Sequence, residues 1–110
     1  MKNCVFAIIF GLLCAACTIK TALLPNAASV EVVYEKPQDC EFLGREFGQK
    51  ADAYGSLSLL SLRESAINDL KNKASTIDGD TLFILNMEKG YNSTWGVTEY
   101  LVEGEIYKCN

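Results

Sequence analysis
The 110-residue chain predicts a small α+β domain in two layers, one amphipathic helix packed on an antiparallel sheet, in the order β-β-α-β-β. Three observations predict it. Residues 29–34, 40–48, 81–87 and 97–109 alternate or run apolar in the manner of strands. Residues 59–77 change period, with apolar side chains returning at three and four. Pro37, Gly79, Gly90 and Gly96 punctuate the boundaries, as turn residues do.

In chain order, Ser29-Val30-Glu31-Val32-Val33-Tyr34 is rich in β-branched residues and reads as a first strand with Val30, Val32 and Tyr34 on one face, ended by Pro37. Cys40 to Gly48 resumes an extended pattern, and Gly44 within it marks a bulge or close backbone approach. Residues 49–55 are polar and read as a loop. The helix follows. Leu59, Leu62, Ala66, Ile67, Leu70, Ala74 and Ile77 form its stripe, and Arg63, Asn68, Asp69, Lys71 and Lys73 its outer side. Ser61 and Glu64 stand as a capping box, Ser56 offers an earlier start, and Gly79 supplies the stop. With a single helix to cover the sheet, that stripe reads as a core contact rather than a binding face.

Thr81 to Met87 is apolar on both faces, as a central strand would be. Residues 97–109 alternate, and Glu99, Glu103 and Glu105 mark the wet face, shared with Val97, Leu101 and Tyr107, while Gly104 allows a bulge. Residues 88–96 read as a hairpin loop carrying Tyr91 and Trp95. Aromatics flanked by Gly90 and Gly96 on a loop make amphipathic contacts with protein, glycan or lipid headgroups, or else fold back to cap the sheet. They are the candidate partner-contact residues.

Ahead of this domain, Met1-Lys2-Asn3 and the apolar run from Val5 to Leu13 have the layout of an export signal, too short to span a bilayer as a helix. The step Leu12-Leu13-Cys14-Ala15-Ala16-Cys17 resembles the lipobox of bacterial lipoproteins, where small residues precede a cysteine that becomes lipidated and N-terminal. Cys14 stands where that pattern usually has Leu. Taking Cys14 as the modified residue instead would set Leu12 and Leu13 against the cut, a poor fit, so Cys17 is the expected lipid attachment site. The resemblance implies a signal peptide over residues 1–16, a lipid-anchored tether over 17–28 containing Pro25, and a globular domain over 29–110. Two or more acyl chains, at ~0.8 kcal/mol per buried CH₂, would hold it on a membrane permanently. Thr18, where inner-membrane retention favours Asp, resembles the outer-membrane class, which places the expected domain in the bacterial envelope facing the periplasm.

Composition narrows the function. Beyond residue 16 the chain keeps 9 of its 10 Lys and Arg and all 14 Asp and Glu. An acidic chain without a basic stripe lacks the footprint of a nucleic-acid binder. Of five cysteines, Cys40 and Cys109 alone belong to the expected domain, and in an exported domain they read as a disulfide. Two free thiols or a metal pair are the alternatives, but with no His a zinc site of the usual kind cannot be assembled. No His also means no imidazole base and no Ser/His or Cys/His pair. Ser56, Ser58, Ser61, Ser65 and Ser75 read as caps and a solvated helix face. Asp78-Gly79-Asp80 has too few oxygen ligands for a calcium loop and suits a helix-ending turn. No cofactor and no metal are expected.

Cys40-Glu41-Phe42-Leu43-Gly44, the helix end from Ala74 to Gly79, and Gly104-Glu105-Ile106-Tyr107-Lys108-Cys109 together resemble the lipoprotein family known as domain of unknown function 4156. There a Cys-x-x-Leu-Gly step, a helix closing on a Gly/Asn turn, and a terminal Gly-x-Ala-Tyr-x-Cys step recur. Ile106 departs from that small residue. A more distant look-alike is an outer-membrane lipoprotein that senses envelope stress, whose second disulfide this chain lacks. The resemblance implies an α+β lipoprotein domain and transfers no sensing role. The expectation is a non-catalytic envelope lipoprotein that binds a protein partner or monitors the envelope. A structural or surface lipoprotein without a specific partner is the alternative, and an enzyme of unknown class the third.

Overall fold
The computed structural model describes residues 19–110 apart from 53, 54, 93 and 95; the expected signal peptide, Cys17 and Trp95 lie outside the described residues. A 3-10 turn, Pro25–Ser29, leads into β1 (Glu31–Val33), β2 (Glu41–Ala51), α1 (Leu59–Thr76), β3 (Thr81–Asn92) and β4 (Gly96–Lys108). The β-β-α-β-β order holds. The four strands form one sheet in the order β1-β3-β4-β2, with α1 laid across one face.

The sheet is mixed rather than wholly antiparallel. β4 pairs antiparallel with β2 and with β3, but β1 runs parallel to β3, Glu31 opposite Thr81 and Val33 opposite Phe83. The cause lies upstream of β1. Residues 20–24 run beside α1 in the helix's own direction, the Pro25–Ser29 turn reverses the chain, and β1 therefore enters at the end of the sheet where β3 begins. Val30 is buried just before β1, and Tyr34 after it is exposed.

Within the segment 17–28, expected to be a lipid-anchored tether, residues 20–24 lie docked along α1. The Thr21 backbone N–H donates to Ser65 Oγ (3.0 Å) and Leu24 N–H to Asn72 Oδ1 (2.9 Å). Asn68 Nδ2 donates to Thr21 C=O (2.8 Å), Asn72 Nδ2 to Ala22 C=O (3.0 Å), and Lys20 pairs with Glu64. Ala27 is fully buried. A backbone laid on a helix needs its own polar groups satisfied, and the Ser65, Asn68, Asn72 row does that. Ser65 is thus buried, not part of a solvated face.

α1 forms because Leu62, Ala66, Leu70 and Ala74 share one side and all are completely buried against Leu82, Val102 and Ile106. Its cap is Ser58, whose side chain accepts from Ser61 N–H at 3.1 Å, so the expected capping box at Ser61 and Glu64 lies one turn too late. At the other end Gly79 N–H reaches Ala74 C=O (2.9 Å) and Asp78 N–H reaches Ser75 C=O (3.2 Å), a Schellman closure. Asp78 takes the left-handed conformation there (φ 64°). Gly79 is needed for space instead, since a Cβ on it would stand 2.3 Å from Ile106 Cγ2. Leu59 and Ile77, the two ends of the stripe, overhang the sheet and are about half exposed.

Both long strands outrun their predicted limits. β2 continues through Gln49, Lys50 and Ala51, opposite Leu101, Tyr100 and Glu99, and β3 continues through Glu88, Lys89, Gly90, Tyr91 and Asn92. The polar run 88–92 looks like a turn because its own side chains at 88, 89 and 91 are exposed, the apolar residues at this level, Tyr100 and Val97, being supplied by β4. Pairing with β4 keeps it extended. Bulges fall at Leu43, as Gly44 suggested, at Leu85, and between Gly90 and Tyr91; Gly104 pairs regularly and makes none. At Gly48 α1 comes so close that a Cβ would lie 2.1 Å from Ala66 O, which only glycine permits.

The outer edge of β2 is closed by the helix. Asp69 Oδ2 accepts from Gln49 N–H (2.9 Å), Lys73 Nζ donates to Phe47 C=O (2.6 Å), and the two side chains pair at 3.5 Å.

Candidate functional site
Cys40 and Cys109 join the start of β2 to the residue after β4, next to the Glu41 and Lys108 pair, with Cα atoms 4.4 Å apart. Both cysteines of the expected domain are used, as the sequence suggested. Beside the staple, Phe42 and Tyr107 meet edge to face with ring centroids 5.6 Å apart. Asp80 braces the same corner: its carboxylate accepts from Cys109 N–H (2.8 Å), Asn110 N–H (2.9 Å) and Thr81 Oγ1 (2.9 Å). The Cys109 N–H, first among these contacts, holds the Asp80 carboxyl below its ordinary value.

The face of the sheet opposite α1 carries Phe42, Arg45 and Phe47 on β2 and Leu101, Glu103 and Glu105 on β4. Phe42 is 54% and Phe47 46% exposed, so two aromatic side chains face outward here. Arg45 sits between the two carboxylates, Nη1 3.6 Å from Glu103 and Nη2 3.3 Å from Glu105. The Tyr107 hydroxyl donates to Glu105 at 2.9 Å and, ahead of Arg45, lowers the Glu105 pKa; burial and that acceptor raise the pKa of Tyr107. Glu105 is therefore held ionised, whereas a general acid needs its pKa raised toward neutrality. Tyr107, placed by alternation on the wet face, is 4% exposed because Phe42 and Glu105 cover it.

A hollow of about 150 Å³ between Phe47, Asn86, Glu88, Leu101 and Glu103 lies on this face. That is below the roughly 300 Å³ where small-molecule sites begin, so the face suits a surface contact rather than an enclosed ligand. A wider recess of about 370 Å³ near Ser75, Asp78, Asp80 and Lys108 is polar and open. Among the described residues no three His, Cys, Asp or Glu gather as metal ligands do, and no helix is long and apolar enough to cross a membrane.

Tyr91 lies on the last part of β3, opposite Val97, rather than in a loop, and is 73% exposed. It does not fold back onto the sheet. Whether Trp95 joins it falls outside the described residues. What reading the sequence missed is the row Ser65, Asn68, Asn72 that clamps the N-terminal segment. Its signal was available: short polar side chains at i, i+3 and i+7 are poor helix formers and good backbone binders.

The family model described as Domain of unknown function (DUF4156) matches residues 21–109. The chain belongs to the DUF4156 family. The match begins at Thr21, the first backbone clamped to α1, and ends at Cys109, the second half of the staple, so the DUF4156 unit and the packed domain coincide. No curated protein and no solved structure matches this DUF4156 chain.

Proposed function
We propose that this DUF4156 protein is a lipid-anchored lipoprotein of the bacterial envelope, held in the outer membrane through acylated Cys17 and facing the periplasm, that binds a protein partner or monitors the envelope and catalyses nothing. The observation that carries the reading is the pairing of Cys40 with Cys109 in a chain that opens on a signal-like apolar run. A disulfide across a small domain favours an oxidising compartment, and of the three remaining cysteines, Cys4, Cys14 and Cys17, Cys17 is the one preceded by small residues, Ala15-Ala16, as a lipid attachment site would be. The outward Phe42 and Phe47 support a protein contact. The absence of His from the sequence supports binding over acid-base or nucleophilic chemistry.

Metabolic palmitate labelling with membrane fractionation tests the anchor. Wild type should carry label and pellet with membranes, and Cys17→Ala should lose both. Label lost from Cys14→Ala but kept by Cys17→Ala would overturn the assignment. A photocrosslinker at position 47 should give one discrete adduct in cells; a smear, or none, would favour a structural lipoprotein without a specific partner.

A further inference from the structure
Resting on the lipid-anchor reading above, we propose that the domain stands on the bilayer by one end, with Ile19, Leu59, Leu60 and Tyr91 at the headgroup boundary and the Cys40 to Cys109 corner pointing away.

The direction of the clamped segment sets this orientation. Lys20 pairs with Glu64, Thr21 bonds Ser65, and Leu24 bonds Asn72, so the chain followed backward from Leu24 travels toward the start of α1. From Thr21, whose backbone is fixed, the few residues back to Cys17 span at most about 14 Å when fully extended. The acylated terminus therefore cannot leave the neighbourhood of that end. A lipid at Cys17 brings the bilayer there with it, and that commits the occupant to a lipid surface.

The same end is apolar where exposed. Leu60 lies four residues before Glu64 on the same side of α1, one turn nearer the start, and is 61% exposed, with Leu59 beside it at 49%. Ile19, next to Lys20, is 68% exposed. Nothing in the core calls for these side chains to be large and apolar. Tyr91 belongs to the group because Ala51, Glu99 and Gly90 lie side by side across β2, β4 and β3, and the chain leaves Ala51 for α1 while the hairpin continues to Tyr91 and Val97. An exposed tyrosine with an apolar ring and a wet hydroxyl suits the interface between acyl chains and water. α1 then rises away from the membrane for about 27 Å, at ~1.5 Å per residue, and the staple is at its far end.

The test uses the acylated protein in nanodiscs of phosphatidylcholine containing a gadolinium-chelate lipid, with paramagnetic broadening read at each backbone amide. Amides of Ile19, Leu59, Leu60 and Tyr91 should broaden several-fold more than those of Asp39 and Asn110. Replacing both leucines in Leu59→Ser/Leu60→Ser, exposed positions, should reduce that gradient without abolishing it, since the acyl chain on Cys17 still holds this end near the bilayer. Uniform broadening in an acylated sample, or broadening strongest near Asp39 and Asn110, would overturn the orientation and leave the anchor standing. Mass analysis showing no acyl chain on Cys17 would remove the anchor and this proposal together. Signals at these amides that stay shielded in Cys17→Ala, with a doubled particle mass, would give the face to a second copy instead.

Discussion

Removing the staple is the perturbation whose magnitude follows most directly from the structure. Cys40 and Cys109 are 69 positions apart, and the chain-entropy relation for a closed loop of that size gives about 4.4 kcal/mol at 25 °C. The bond ties the start of edge strand β2 to the end of central strand β4, so in the Cys40→Ser/Cys109→Ser protein β2 is held by its ladder and by α1 alone. Against a total of roughly 5–15 kcal/mol for a domain, that loss leaves little margin. It should lower the melting temperature by about 18–35 °C, at roughly 4–8 °C per kcal/mol for a domain of this size. The assay is guanidinium unfolding of the lipid-free Cys17→Ala protein with and without the serine pair, followed by circular dichroism. With slopes near 2–4 kcal/mol/M the midpoint should fall by about 1–2 M. A change below about 1 kcal/mol at equal slope would show that the denatured chain is already constrained by residual structure, and would refute the loop argument.

Three further outcomes follow from the packing and caps. Gly48→Ala should cost at least about 1–3 kcal/mol by urea unfolding, because the new methyl would lie 2.1 Å from Ala66 O, while Gly44→Ala, with open space around it, should stay within about 0.5 kcal/mol. Ser58→Ala should cost about 1 kcal/mol as loss of the helix cap, and Ser61→Ala clearly less, the reverse of what a capping box at Ser61 predicts. Asp80 has a folded pKa depressed below its ordinary 3.8, so its contribution to stability is present above that value and is lost as pH falls through the folded value. Asp80→Asn should therefore lower stability at neutral pH and flatten its decline below about pH 4, as read from unfolding midpoints across pH 2–7.

The sequence disclosed the parts of the fold whose burial is one-sided. The stripe from Leu62 to Ala74, the run Leu82 to Ile84 and the alternation of Tyr100, Val102 and Ile106 are buried as their spacing implies. It misled where burial stops. Toward the hairpin tip Glu88, Lys89 and Tyr91 are exposed, so residues 88–92 look like a turn although β4 pairs with them. The parallel setting of β1 was hidden for another reason: it depends on the path of residues 20–29, which have no period of their own and are positioned by Ser65, Asn68 and Asn72 far along the chain. Of the candidate residues, Cys40 and Cys109 were legible because two thiols in a small domain expected to be exported, with no His in the sequence, have few other fates. Tyr91 was legible as exposed but not as part of a strand. The outward aromatic patch was not legible, since Phe42 and Phe47 read as ordinary strand residues until their face proves to have no cover among the described residues.

Asp69 and Lys73 matter most where many copies share a surface. Proteins confined to a plane meet far more often than the same number free in a volume, and an 11-residue strand with a bare rim invites stacking into an extended ribbon. By occupying the amide of Gln49 and the carbonyl of Phe47 midway along that rim, two helix side chains break the template where the next molecule would have to begin pairing. If the proposed lipid anchor confines the copies to a membrane, their crowding there can rise without polymerisation through β2.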